Sequence, residues 1–177
     1  MDAYLETIAT AGGPITIAVN SVGALIQLNF GDGSYPRSID EDLRQAGYTL
    51  HAATRQAIQA RREIEEYWAG TRRVFEVPLV LRGTPWQTEV WQALTQIPFG
   101  ATHTYGSLAA LLGHPRSSRA VGRANATNRI PLVVPCHRLV GANGSLTGFA
   151  GGIHLKQRLL DHEHLCVDSG VRYASVG

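Results

Sequence analysis

The stretch TYGSLAALLGHPRSSRAVGRANA, residues 104–126, contains two short helical segments separated by a tight corner. Thr104 can cap the first helix, and Ser117 or Ser118 can cap the second. The corner itself is His114-Pro115-Arg116, a sequence that favours a turn. This order predicts a helix-turn-helix, although many helical hairpins of the same appearance never touch DNA.

The second helix has a face that suits contact with nucleic acid. Arg119 and Arg123 are four residues apart and therefore lie on one side of a helix. The positions between them, from Ala120 to Gly122, are small enough to let the helix backbone approach a duplex closely. We therefore predict that this helix contacts DNA, with Ser118 at its start.

The charge distribution favours the same kind of partner. Residues 1–89 contain 8 Lys and Arg against 11 Asp and Glu, whereas residues 90–177 contain 8 against 3. No acidic residue occurs between Glu89 and Asp161. A basic half with so long an acid-free stretch favours a polyanionic partner over a solvated surface that happens to lack acids.

Upstream of this stretch, residues 1–82 predict a small domain of sheet and helix. Two β-type runs, residues 15–19 and 24–30, are expected to form a hairpin, and residues 74–81 predict a further strand. Apolar side chains recur at helical spacing over residues 53–68, which predicts a helix.

Residues 83–177 predict a mostly helical domain. Thr84-Pro85-Trp86-Gln87 is a capping box with proline at the first helical position, so a helix begins there. A last helix follows Gly151-Gly152. The expected fold class is α/β of the α+β kind: an N-terminal β-sheet-plus-helix domain followed by a helical C-terminal domain with the helix-turn-helix, divided near residue 82.

The run Pro135-Cys136-His137-Arg138 follows a strand-like apolar stretch, residues 131–134. Thiolate is the reactive form of cysteine, and a neighbouring His or Arg lowers the pKa that controls it. The alternative is a buried structural thiol, which is common for a lone cysteine. Cys166 is the other cysteine, and the two form neither a CxxC pair nor a disulfide framework, which favours a reducing, cytoplasmic location.

Glu163 lies on the apolar side of the last helix, four residues after Leu159. A carboxylate that faces a core needs a partner, because an unpaired buried charge is costly. The helix alone leaves a surface glutamate at a frayed end equally open. We predict no metal cluster from His162, His164 and Cys166, because residues two apart diverge on a helix and no second ligand pair exists.

The run NRIPLVVPCHR, residues 128–138, resembles the signature of the O6-alkylguanine-DNA alkyltransferases. These are single-turnover DNA repair proteins that take an alkyl group onto their own cysteine. The resemblance extends over residues 84–165 and includes IPFG at 97–100, RAVG at 119–122 and GFAGG at 148–152. It implies irreversible transfer of a methyl or other alkyl group from O6-alkylguanine in double-stranded DNA to the cysteine, and leaves O4-alkylthymine open as a substrate.

The resemblance also implies a role for each residue that matches the family pattern. Cys136 would be the nucleophile and alkyl acceptor, and His137 would act as its base through a water molecule. Glu163 would orient the imidazole, as the third member of a triad orients its base. Asn128 would brace the active-site segment. Tyr105 would donate a proton toward guanine N3 and help turn the damaged nucleotide out of the helix.

On the DNA side, Arg119 would enter the base stack that the damaged nucleotide leaves, with the protein in the minor groove. Pro131, Phe149 and backbone groups around Ala150 would wall the alkyl pocket. The chain departs from the family at Arg129, where proline is frequent, and at Phe149-Ala150, where Tyr-Ser is frequent. Both departures bear on which alkyl group is preferred.

The remaining expectations concern partners. No cofactor and no metal are expected, because the zinc site of some relatives uses Cys and His of the first domain, where this chain has no cysteine and only His51. No apolar run approaches membrane-spanning length. We expect a monomer in solution and leave cooperative assembly on DNA open. Two rival functions remain: a cysteine hydrolase or amidotransferase, and a noncatalytic DNA-binding module.

Overall fold

The computed structural model describes residues 1–31, 38–149 and 151–168. In chain order its elements are β1 (Asp2–Thr10), β2 (Gly13–Val19), β3 (Leu25–Phe30), α1 (Ile39–Gln45), β4 (Thr49–Ala52), α2 (Ile58–Trp68), α3 (Pro85–Thr95), β5 (His103–Thr104), α4 (Tyr105–Leu111), α5 (Ser118–Ala126), a 3-10 turn (Cys136–Arg138), β6 (Leu139–Val140) and α6 (Ile153–Asp168). Within these ranges no helix is both long and apolar enough to cross a bilayer.

The first half is built on a four-stranded sheet in the order β3-β2-β1-β4. β2 pairs antiparallel with both β1 and β3, and β4 pairs parallel with β1. The predicted hairpin is β2–β3, and the Asn20 side chain shapes its turn by accepting hydrogen bonds from the backbone of Val22 and Ala24. Sheet and helices together give the predicted α+β class.

The helices of the second half begin where local capping predicts. Thr84 accepts a hydrogen bond from the Gln87 backbone, and the Gln87 side chain returns one to Thr84 N, so α3 starts with a complete capping box. Thr104 and Ser107 cap α4 in the same reciprocal way. α4 and α5 pack against each other as the predicted helix-turn-helix, but the Ser117 side chain makes no capping bond to α5.

One buried cluster of apolar side chains includes residues from both halves of the chain. Ile64 and Tyr67 of α2 belong to it, together with Val90 and Leu94 of α3 and Leu159 of α6. The predicted division into two domains near residue 82 therefore stays a prediction, since this core crosses the boundary.

Two predictions of strands were wrong. Within residues 74–81 only Leu79 forms a bridge, to Leu25, and Pro78 contributes a carbonyl but has no N–H for a ladder. Residues 131–134 form a turn in which Leu132 has φ +77°, a left-handed conformation that side chains with a Cβ rarely adopt. The Cys136 segment that follows is a 3-10 turn and not an extended strand end.

The predicted helix over residues 53–68 begins later than expected, at Ile58. The strand β4, residues 49–52, ends just before the predicted helix. Residues 53–57 therefore form the connection from β4 to α2. Ala57 still packs into the core as the residue that precedes the helix, which explains why the apolar spacing extends beyond the helix itself.

We expect the indole hydrogen bond of Trp91 to fix α5 on α3. Its Nε1 donates to the carbonyl of Ala124 at 2.8 Å in the buried core. Trp91→Phe should lower the free energy of unfolding by about 1–3 kcal/mol, because a buried carbonyl loses its donor. Trp86→Phe is the matched control: its bond to Ala120 is 3.4 Å and half-buried, so the loss should be smaller. Urea unfolding of the three proteins measures both values, and equal losses would contradict the assignment.

Candidate active site

The cysteine segment is shaped by the side chain of Asn128. Its Nδ2 donates to the carbonyl of Val134 and its Oδ1 accepts from the backbone of Ile130, both at 2.9 Å. These bonds close the turn that contains Leu132 and offset the cost of its left-handed backbone. Cys136 follows as the first residue of the 3-10 turn, and its side chain is buried in the core.

Glu163 of α6 is fully buried and accepts hydrogen bonds from four residues. The donors are His137 Nε2 at 2.7 Å, Arg138 Nε and Nη2 at 3.0 and 2.9 Å, Tyr67 Oη at 3.0 Å and Gly100 N at 2.8 Å. The carboxylate that the sequence left undecided is thus a core group with a complete set of partners, which is how buried charges are tolerated. The predicted pairing of His137 with Glu163 is present in this network.

Gly100 can join this network because it lacks a side chain. Its φ of +77° is left-handed, and an added Cβ would lie 2.7 Å from Val167 Cγ2. Glycine adopts this backbone without penalty, so the chain can turn after α3 and point the N–H at Glu163. The Ile97 carbonyl in the same turn accepts a hydrogen bond from Arg138 Nη1 at 2.6 Å.

The network fixes the protonation of the histidine. Burial alone would raise the pKa of Glu163, but hydrogen bonds from His137 and Arg138 hold it well below its usual value, so the carboxylate is ionised. His137 Nε2 must therefore carry the proton that Glu163 accepts. Burial lowers the pKa of His137, which keeps the ring neutral. Its Nδ1 is buried and has no hydrogen-bond partner within the described residues, so it is free to accept a proton.

The thiol of Cys136 rests in its protonated form. Burial raises its pKa to about 11, while a hydrogen bond from Asn128 and the charge of Lys156 oppose that rise. Deprotonation in this environment needs a base close by, and His137 is the adjacent residue with an available nitrogen. Cys136, His137 and Glu163 are thus all buried, and His137 is hydrogen-bonded to Glu163. A thiol, an imidazole and a carboxylate in this setting suit covalent chemistry on the cysteine.

Lys156 is also buried, seven residues before Glu163 on α6. Its Nζ donates to the carbonyls of Leu139 and Thr147, the latter at 2.7 Å. The hydroxyl of Tyr105 donates to the same Thr147 oxygen at 2.9 Å. Burial lowers the pKa of Lys156 to about 8, with the Cys136 thiolate as the opposing influence. Lysine and tyrosine together hold the segment around residue 147 beside the cysteine.

A cavity of about 470 Å³ opens on the helix-turn-helix side of this segment. Its lining residues are Tyr105, Ser118, Arg119, Gly122, Arg123, Ala126, Thr147 and Gly148. Three of the predicted DNA contacts, Ser118, Arg119 and Arg123, therefore share one cavity with Tyr105. Ala120 is not among the lining residues and instead accepts the indole hydrogen bond of Trp86.

The predicted pocket residues are only partly described. Pro131 is buried and bridges to Val134, and Phe149 is half-buried against the main core, next to Gly151. Ala150 lies outside the described residues. Arg129, the position where the chain departs from the family pattern, attaches the segment to the first half: its carbonyl accepts from Leu28 N at 2.9 Å.

The contacts of Arg138, Gly100, Tyr67 and Lys156 in the site were not predicted from the sequence. Arg138 stands inside the quoted signature, and Lys156 lies two helical turns before Glu163, so both had a local signal. Tyr67 had none, because it is 96 residues from its partner. In the described residues no group of three or more His, Cys, Asp or Glu side chains could hold a metal ion.

Three comparisons with known proteins agree with this chemistry. The family described as 6-O-methylguanine DNA methyltransferase, DNA binding domain, matches residues 85–165. A methylated-DNA–protein-cysteine methyltransferase of Shigella flexneri is 40% identical over 161 residues, which is 89% of this chain and 94% of that protein. A second, from Methanosarcina acetivorans, is 50% identical over 108 residues, 61% of this chain and 69% of that protein.

The fold agrees as well. The crystal structure of Mycobacterium tuberculosis OGT in complex with DNA superposes with a TM-score of 0.79 at 36% identity and covers 94% of each chain. The match to the Shigella protein covers nearly its whole length, at 40% identity. That match is by itself sufficient to assign the family. The chain therefore belongs to the methylated-DNA–protein-cysteine methyltransferase family.

Proposed function

We propose that this protein repairs DNA by direct reversal, taking the alkyl group of O6-alkylguanine onto its own Cys136 in a single, irreversible turnover. The observation that carries the proposal is the buried group of Cys136, His137 and Glu163 in a chain of this family. A thiol beside a neutral imidazole whose Nδ1 is free suits attack on an alkyl carbon.

The reaction balances without a cofactor. The Cys136 sulfur forms a bond to the alkyl carbon, the bond from that carbon to guanine O6 breaks, and the electron pair stays with the purine. The thiol proton passes through a water molecule to His137 Nδ1, and Glu163 stabilises the imidazolium that results. Tyr105, whose hydroxyl donates to Thr147 in the free protein, gives its proton to N3 of the departing guanine. The proton that His137 took from the thiol then returns through water to Tyr105, so that both residues end in their starting forms.

The damaged base reaches the cysteine by leaving the duplex. The cavity beside α5 holds Arg119 and Arg123, both exposed, and Arg119 takes the vacated place in the stack while α5 lies in the minor groove. Ser118 and Ala120 accompany them at the start of the helix. Pro131, Phe149 and the backbone near Ala150 complete the alkyl pocket, and Asn128 braces its floor.

We also propose that the protein acts as a monomer in the cytoplasm. Neither Cys136 nor Cys166 forms a disulfide, and a reactive thiol persists in a reducing compartment. A second candidate function, hydrolysis or amide transfer by Cys136, is disfavoured by Arg119 and Arg123, which line the cavity beside Tyr105. Two arginines on one face of a helix suit phosphate groups, which a hydrolase of this kind does not need to bind.

The first experiment measures intact mass after incubation with O6-benzylguanine. We expect one benzyl group per protein molecule, transferred once, because the thioether that forms is stable. Cys136→Ala should take up none, and Cys166→Ala, which removes the other thiol, should react like the wild type. Catalytic turnover would support a hydrolase, and no uptake would support a DNA-binding module. Uptake of a benzyl group by Cys136→Ala would show that Cys136 is not the acceptor.

The second experiment concerns DNA. Arg119→Ala should slow repair of a duplex oligonucleotide by about 10-fold or more but leave the reaction with free O6-benzylguanine nearly unchanged, because unstacking costs a few kcal/mol only in a duplex. Arg116→Ala removes an equal charge from the turn before α5, outside the cavity, and controls for general attraction to phosphate. Equal loss on both substrates for Arg119→Ala would indicate a misfolded helix-turn-helix.

The third experiment tests the carboxylate. Glu163→Gln keeps the shape of the side chain but removes the charge that stabilises the His137 imidazolium, so the apparent pKa of Cys136 should rise and alkyl transfer near pH 7 should slow by about 10-fold or more. The rate should recover at higher pH, where the thiolate forms without help.

Its control is Glu63→Gln, a fully buried carboxylate of α2 that accepts from the backbone of Glu76 and Val77, away from the site. Both variants should melt at lower temperature, because each leaves buried donors without their charged acceptor. Only Glu163→Gln should change the pH profile of the rate. A Glu163→Gln protein with wild-type rates at every pH would exclude Glu163 from the mechanism.

A further inference from the structure

The catalytic carboxylate receives a hydrogen bond from the first half of the chain. Tyr67, near the end of α2, is fully buried, and its hydroxyl donates to Glu163 Oε1 at 3.0 Å. The same oxygen accepts His137 Nε2 at 2.7 Å. A tyrosine and the base of the reaction therefore share one oxygen atom of the orienting group.

The Tyr67 ring is held on several sides. It stacks on Phe75 with ring centroids 5.7 Å apart, and it meets Phe99 and Trp68 edge-on at 5.7 and 5.5 Å. His162 lies tilted against it at 5.0 Å. With the ring fixed in this way, the hydroxyl oxygen is held within hydrogen-bonding distance of Glu163 Oε1.

Glu163 does not need Tyr67 to stay in place. Arg138 binds both carboxylate oxygens, and Gly100 N binds Oε2. The hydroxyl of Tyr67 donates its hydrogen bond to Oε1, the same oxygen that accepts from His137. Its effect is therefore on the charge of that oxygen, since a donated hydrogen bond withdraws negative charge from its acceptor.

We propose that Tyr67 is a positioning residue for alkyl transfer: by sharing Glu163 Oε1 with His137, its hydroxyl weakens the pull of the carboxylate on the imidazole and keeps that ring neutral, able to accept the Cys136 proton. This deepens the proposed function and rests on it. The hydroxyl acts through Glu163 and His137 and touches neither substrate nor sulfur.

The charges around the site are consistent with this role. Burial is the main cause of the lowered pKa of His137; Glu163 opposes it by favouring the imidazolium, and the charges of Arg138 and Lys156 add to the lowering. Burial and the neighbouring Glu163 also raise the pKa of Tyr67, so that its hydroxyl remains a donor throughout the working range.

His162, against the Tyr67 ring, hydrogen-bonds the backbone carbonyl of Tyr67, and Cys166 is a further titratable group near the phenol, besides Glu163 and Arg138. Neither is within the hydrogen-bonding set of Glu163. The hydroxyl of Tyr67 is thus the neutral donor through which the first half of the chain adjusts the base.

The test is Tyr67→Phe, which removes only the hydroxyl. Without the hydrogen bond from Tyr67, Glu163 Oε1 is more negative and interacts more strongly with His137. The pKa of His137 should therefore rise by about 0.5–1 unit. Titration of the His137 ring by NMR in the full chain measures this directly. The acid limb of the rate of benzyl transfer from O6-benzylguanine should move to higher pH by the same amount, while the rate above that limb stays at or above wild type because the base is stronger.

Phe75→Leu is the matched control, because it loosens the packing of the same ring and leaves the hydroxyl bond in place. It should lower the melting temperature without moving the His137 titration or the acid limb. Identical titration and identical pH profiles in wild type and Tyr67→Phe overturn the proposal, as does an equal shift in Phe75→Leu. A wild-type protein that takes up no benzyl group would instead refute the proposed function itself.

Discussion

The buried charge of Glu163 is the constraint on which the rest of the site depends. An ionised carboxylate in a protein core is tolerated only when its oxygens are fully hydrogen-bonded, and here the donors come from α2, from the turn after α3 and from the 3-10 turn of the cysteine segment. These parts of the chain must meet at α6 for the charge to be satisfied. One carboxylate thus determines how four separate segments are placed around the cysteine.

The buried site keeps both His137 and Cys136 in their neutral forms in the free protein. His137 is held neutral and in one tautomer, and burial keeps the Cys136 thiol protonated, with a pKa of about 11. A thiol in that form reacts slowly with oxidants and with adventitious electrophiles. Under the proposed mechanism, Cys136 is therefore protected until an alkyl carbon lies against its sulfur and the thiol proton can pass to His137. For a protein that can react only once, such protection has an evident advantage.

The helix α5 connects the cavity that contains the arginines to the segment that contains Cys136. Asn125 of α5 is buried, and its side-chain amide lies 3.5 Å from the carbonyl of Cys136 and 3.4 Å from that of Gly148. Its neighbour Ala124 accepts the indole hydrogen bond of Trp91 from α3. The face of α5 opposite these contacts carries the arginines of the cavity. The helix that carries the exposed Arg119 is thus the helix that also contacts the cysteine segment.

The sequence by itself determined what depends on short-range contacts. The caps at Thr84 and Thr104, the hairpin turn at Asn20 and the cysteine signature all rest on bonds or patterns within a few residues, so they could be predicted from the chain order. Only the tertiary structure decided the partners of Glu163, because a contact such as that with Tyr67 spans 96 residues and leaves no periodic trace in the sequence.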